Sequence, residues 1–189
     1  MDAAPQDCLE IFLNPGELFF GSDRTRIRTL LGSCVAVTVW HPRHRLGGMC
    51  HCVLPGRSRG GSGVADLRHV DDALDTLVLD LRSQRVPMHE VQCKLFGGGR
   101  MFSSLYEDGE AVGRRNVQSA LDAIDRVGLR LSGWHTGGNG HRNVVLDLWS
   151  GAVWVRYGQG ADGDEPVRID PRGTAPAPAA TARTERKAS

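Results

Sequence analysis

Seven short runs of β-type residues, each followed by a turn containing Gly or Pro, constrain this chain more than any other feature. They read "RIRTLL", "VAVTVW", "LGGMCHCVLP", "VQCKLF", "LRLSGW", "NVVLDLW" and "AVWVRY". β-branched and aromatic side chains suit the pleated, half-buried surface of a sheet, and Gly and Pro mark where each run must turn. Two stretches break the pattern. Residues 69–85, "HVDDALDTLVLDLRSQR", carry apolar side chains at Val70, Ala73, Leu74, Leu77, Val78 and Leu81, which is the spacing of one helix face. Residues 114–128, "RRNVQSALDAIDRVG", form a second amphipathic stretch that stops at Gly128. Many strands with about two long helices, in no strict alternation, predict α/β: a layered α/β sandwich with a mixed β core.

The runs and helices occupy roughly 8–159, read as one domain with no internal repeat. From about Gly160 the sequence becomes "GADGDEPVRIDPRGTAPAPAATARTERKAS". Apolar periodicity ends there, so 160–189 is expected to be a disordered Pro/Ala-rich tail, too poor in apolar area to offset its ordering entropy. A chain of 189 residues is long enough to bury a core without metal or disulfide staples. The five cysteines, Cys8, Cys34, Cys50, Cys52 and Cys93, are odd in number and irregularly spaced, which suits free thiols in a reducing compartment. Acids interrupt the N-terminal "MDAAPQDCLEIFLNPGELFF", which argues against a secretory signal. No stretch approaches the roughly 20 apolar residues of a membrane helix. The expectation is a cytoplasmic protein. The net charge of +1, with acids and bases interleaved, disfavours a nucleic-acid partner. No spare apolar stripe marks an oligomer interface, which favours a monomer.

The chemistry centres on "TLLGSCVAVTVW", residues 29–40. Cys34 follows Gly32 and Ser33 at a corner between two apolar runs. A glycine there permits a sharp turn that presents the next side chain, and exposed backbone N–H groups could hold an oxyanion. "CHC" at 50–52 invites a metal reading. In a strand, however, Cys50 and Cys52 point one way and His51 the other, and no C-x-x-C pair completes a zinc site. Cys50 and Cys52 are therefore read as core residues, and His51 as free to face a cleft. "GGGR" at 97–100 lacks the ending of a phosphate loop and reads as a turn or bulge. His135 and His141, flanking a glycine-rich loop, make no site by themselves. Cys34 with His51 could serve nucleophilic catalysis, or be an inert thiol beside a satisfied core histidine.

Four segments together resemble the chemoreceptor glutamine deamidase family, CheD: "TLLGSCVAVTVW", "GGMCHCVLP", "KLFGGGRMF" and "VGRRN". The resemblance runs from about Pro15 to Tyr157. It implies a fold similar to that of cytotoxic necrotizing factor-type cysteine hydrolases. It further implies a protein-glutamine glutaminase that converts glutamines of methyl-accepting chemotaxis receptors to glutamate through a thioester, without a cofactor. On it, Cys34 matches the nucleophile, His51 the base, and Thr29 the third member; relatives that carry the threonine one place earlier would have it at Arg28. Some relatives bind a CheC-type phosphatase. In "HTGGNGHRN", His135 stands where the family usually has an acid, and His141 intrudes before Arg142, a departure expected to affect loop geometry or receptor docking. The rival readings are a docking module without catalysis and a cysteine hydrolase for another amide or ester.

Overall fold

A computed structural model describes residues 3–57, 64–100, 108–158 and 166–169, with the backbone alone for 108–111. The strands are β1 (Leu9–Leu13), β2 (Leu18–Ser22), β3 (Thr25–Leu31), β4 (Val35–His41), β5 (Leu46–Cys52), β6 (Gln92–Gly97), β7 (Leu131–Thr136), β8 (His141–Asp147), β9 (Ala152–Gly158) and β10 (Val167–Ile169). Helix α1 (Val70–Ser83) lies between β5 and β6, and α2 (Asp108–Arg126) between β6 and β7. The strands form two five-stranded sheets, ordered β1-β3-β8-β9-β10 and β2-β5-β4-β6-β7. Both are mixed: β1 runs parallel to β3 and β6 parallel to β7, and the other neighbours are antiparallel.

The second sheet is the middle layer, and its sequence shows why. Every residue of β4 and β5 is buried, because both faces are covered. Val35, Val37, Val39, Cys50, Cys52, Cys93 and Leu95 pack with the apolar faces of α1 and α2. Their alternates Ala36, Trp40, Met49 and Phe96 pack with Ile27, Leu31, Val144, Leu146, Val153 and Val155 of the first sheet. In β3, by contrast, Ile27, Thr29 and Leu31 are buried while Arg28 and Leu30 are exposed, the alternation of a sheet with one open face. The result is helices on sheet on sheet, an α/β fold of the predicted class.

Three elements differ from the sequence expectation. First, β1 and β2 lie in an N-terminal stretch without clean alternation. Leu9 and Phe12 stay 52% and 50% exposed, so pairing with β3 rather than burial makes β1 a strand. Second, α2 begins at Asp108, before the expected Arg114. Gly113 lies inside it and serves close packing: a Cβ on it would lie 2.6 Å from the Gly98 carbonyl. Third, β10 falls inside the stretch expected to be a tail. It pairs antiparallel with β9, Ile169 is fully buried, and the buried Lys94 Nζ donates to the Ile169 carbonyl at 3.2 Å. Apart from Pro166, the rest of the expected tail lies outside the described residues.

Candidate active site

The turn Gly32–Ser33–Cys34 carries the chain from β3 in the outer sheet to β4 in the middle sheet. It is anchored from two sides. The Gly98 N–H donates to the Cys34 carbonyl at 2.7 Å and the Gly99 N–H to the Gly32 carbonyl at 2.8 Å. Gly97 takes a φ of +108°, and a Cβ there would sit 2.1 Å from the Cys34 carbonyl oxygen, so this corner excludes any side chain. "GGGR" is thus a turn, as its residues suggest, and its function is to brace the cysteine. From α2, Asn116 donates Nδ2–H to the Ser33 carbonyl at 3.0 Å and to the Val53 carbonyl at 3.1 Å. Among the described residues neither the Ser33 nor the Cys34 N–H has a backbone acceptor, and the Cys34 N–H lies against its own sulfur.

His51 stands on the same face. It pairs with Ala36 in the β4–β5 ladder, and Cys34 lies two residues before Ala36. Cys34 and Ala36 both pack into the inter-sheet layer. Cys34 and His51 are therefore diagonal neighbours, a relation that spans about 7–8 Å between backbones and less between side chains. Cys50 and Cys52 face the helices instead and are fully buried. The residue before β2 straps the histidine down: the His51 N–H donates to the Glu17 carbonyl at 2.9 Å, and the Gly16 N–H donates to the His51 carbonyl at 2.8 Å.

Thr29 reaches His51 from the opposite sheet. Its Oγ1 lies 2.8 Å from His51 Nδ1 and 2.8 Å from the Leu13 carbonyl oxygen. A hydroxyl has one proton and a carbonyl only accepts, so the Thr29 proton goes to Leu13. Thr29 oxygen must then accept from Nδ1–H. That fixes the neutral imidazole with its lone pair on Nε2, which is buried and has no partner among the described residues. The alternative position, Arg28, points to the open face and lies over the Phe12 ring at 5.8 Å.

Burial pushes the His51 pKa below its usual 6.5, with the Leu13 carbonyl and the Glu17 charge pulling back less. Burial also pushes the Cys34 thiol above 9.0, opposed by its own backbone N–H. Both directions favour thiol beside neutral imidazole over a thiolate–imidazolium pair in the resting protein.

The sequence reading missed three supports. Asn116 and Gly97–Gly99 sit in the "VGRRN" and "KLFGGGRMF" segments, which signalled a family but no role. The third is Arg142, paired with Leu31 at the end of β3 and 1% exposed. Its Nε donates to His135 Nδ1 at 2.9 Å, its Nη2 donates to the Gly137 carbonyl, and the guanidinium lies 4.7 Å over the Tyr157 ring. His135 is thus a half-buried acceptor on β7, not a solvated loop residue. Among the described residues no group of three or more His, Cys, Asp or Glu side chains is placed to hold a metal ion. Nor is any helix among them long and apolar enough to cross a membrane.

Comparison with known proteins adds to this geometry. Residues 53–157 match the family CheD, described as CheD chemotactic sensory transduction. The chain is 42% identical over 164 residues to the probable chemoreceptor glutamine deamidase CheD 3 of Dechloromonas aromatica, covering 87% of this chain and 96% of that one. It is 45% identical over 155 residues to the probable chemoreceptor glutamine deamidase CheD of Pseudomonas savastanoi pv. phaseolicola, covering 81% and 87%. A more distant relative of the same printed name, from Maridesulfovibrio salexigens, is 34% identical over 157 residues. The family match starts at Val53, and the longer alignments extend the likeness over most of the chain; on both, the chain belongs to the CheD family.

Proposed function

We propose that the protein is a protein-glutamine glutaminase acting on chemoreceptors, with Cys34 as nucleophile, His51 as base and Thr29 as the residue that orients it. The observation that carries the reading is the buried Thr29–His51 hydrogen bond, which leaves the Nε2 lone pair free on the face that holds Cys34. The relatives' names supply the substrate class.

The steps follow from these atoms. His51 Nε2 takes the Cys34 proton as sulfur attacks the glutamine Cδ. The carbonyl oxygen becomes an oxyanion, held by the Ser33 and Cys34 N–H groups at the turn after Gly32. Protonated Nε2 gives its proton to the departing nitrogen, and ammonia leaves behind a thioester. Water then attacks the same carbon and loses its proton to Nε2. Collapse releases glutamate and returns the proton to the thiol. Throughout, Thr29 and the Leu13 carbonyl hold the ring in one tautomer.

The same reading places the catalytic unit over about 8–159 in a cytotoxic necrotizing factor-type cysteine hydrolase fold. It makes the protein a cytoplasmic monomer, with a CheC-type phosphatase as a further partner. The test is a purified receptor cytoplasmic fragment incubated with the full chain and analysed by peptide mass spectrometry. The expected result is glutamine converted to glutamate at specific positions, abolished by Cys34→Ala and lowered roughly 10²-fold or more by His51→Gln, the scale of lost acid–base catalysis. Full conversion by Cys34→Ala would overturn the assignment. Receptor binding without conversion by the wild type would favour a docking module, and cleavage of receptor methyl esters alone would favour an esterase.

A further inference from the structure

The β4–β5 ladder ends at Val35 and Cys52, so His51 lies inside it and Cys34 one residue beyond it. Beyond it the two strands part. Cys34 turns toward the glycine loop, its carbonyl taken by the Gly98 N–H. Val53 and Leu54 turn the other way, and both N–H groups donate to the Arg68 carbonyl. Among the described residues no backbone rung joins Ser33 to Leu54, where an antiparallel ladder would place the next one after Val35 and Cys52; the Leu54 N–H goes to the Arg68 carbonyl instead. In the gap sits Asn116, 1% exposed, whose two Nδ2 hydrogens reach the Ser33 carbonyl on one side and the Val53 carbonyl on the other.

We infer that Asn116 is a positioning residue: its amide replaces the missing ladder rung and sets the separation of Cys34 and His51. The inference rests on the Cys34–His51 reading above. Ser33 immediately precedes Cys34, and Val53 follows His51 by two residues, just past the end of β5. A splay between the two strands therefore changes the distance from Sγ to Nε2 directly. The amide suits this function because an NH2 group donates twice in one plane, which no hydroxyl or carboxylate does. Its Oδ1 is buried without a partner among the described residues, which is a cost to stability and argues that packing alone does not explain the residue. A misplacement of about 1 Å between reacting groups is enough to lose roughly 10²-fold in rate.

The test uses the full chain with three readouts: kcat and KM on a receptor fragment, the rate of Cys34 alkylation by iodoacetamide, and thermal melting. Asn116→Asp keeps the shape but removes both donors, and Asn116→Ser shortens the side chain. Both are expected to lower kcat roughly 10- to 100-fold with KM within about threefold. In a His51→Gln background, where the geometry no longer matters, Asn116→Ser should leave the Cys34 alkylation rate unchanged although it alters that rate beside an intact His51. A kcat within about twofold of wild type in the folded Asn116→Ser protein would overturn the inference. So would equal effects on alkylation in both backgrounds, which mark a structural role only. If Asn116→Asp does not fold, the Ser variant decides. Failure of the underlying reading is separate: it appears as activity in Cys34→Ala, whatever Asn116 does.

Discussion

At the scale of single residues, the neutral imidazole of His51 and its one free lone pair explain how the site is poised. Thr29→Val keeps the side-chain shape but removes the group that fixes the tautomer. The expected outcome is a kcat loss of roughly 10- to 100-fold, the scale of a disturbed general base. Because Thr29 is fully buried, the change also leaves the Leu13 carbonyl and His51 Nδ1–H unpaired, a cost of about 1–3 kcal/mol that denaturant unfolding will register. The pH profile has a defined sign. Burial lowers the His51 pKa, so the ring keeps its neutral form to lower pH than a free imidazole, and the acid limb of kcat/KM should have its midpoint below 6.5. Below 6.5 the unfolded chain binds a proton that buried His51 refuses. Its contribution to stability is therefore full above 6.5 and is lost as pH falls toward the lowered pKa. An acid limb centred above 7 would contradict this assignment.

At the scale of elements, a strand-to-strand corner is held by a loop of three glycines from β6. Gly97 is the tightest point. Gly97→Ala combines a positive φ with a Cβ overlapping the Cys34 carbonyl, so the turn must move. The expected cost is about 2 kcal/mol or more in stability, together with a fall in kcat as Cys34 shifts. Gly128 is the control. It follows α2 with a φ of +73° and nothing within 4 Å of a built Cβ. Gly128→Ala should cost about 1 kcal/mol and leave kcat unchanged, since only local backbone strain is added. Melting curves and turnover for the two variants separate strain from displacement of the site. Equal turnover in both would show that the corner tolerates movement.

At the scale of the molecule, the outer sheet closes with β10, which contributes only Val167–Ile169. Truncation after Gly160 removes it. Ile169 loses its burial and Lys94 loses one of its acceptors, beneath a cation that is 2% exposed. Burying one such aliphatic side chain is worth about 1.5–3 kcal/mol, so the melting temperature should fall by roughly 5–10 °C. Truncation after Asp170 keeps the strand and should leave melting within about 2 °C of the full chain. Calorimetry on the two truncations checks this, and equal melting of both would remove β10 from the stabilising structure.

Whatever depends on local periodicity can be read directly along the chain. The period of two in β5 separates Cys50 and Cys52 from His51, and the period of 3.6 in residues 70–81 makes the face that covers them. The corner at Gly32–Ser33–Cys34 was legible for the same reason, since a glycine before a strand marks a turn. Pairing across long separations is set by the folded molecule. Thr29 and His51 are 22 residues apart, on strands of different sheets, and meet only because those sheets stack. Asn116 reaches Ser33 from 83 positions away, on a helix whose own pattern signals nothing but an amphipathic face. Arg142 finds its acceptor on His135 in the neighbouring sheet, and three residues at 167–169 become a strand because β9 offers a free edge. Alternation fixes which face a side chain takes. It does not fix which strand lies beside it, because that choice is made by hydrogen bonds and packing between segments far apart in the chain.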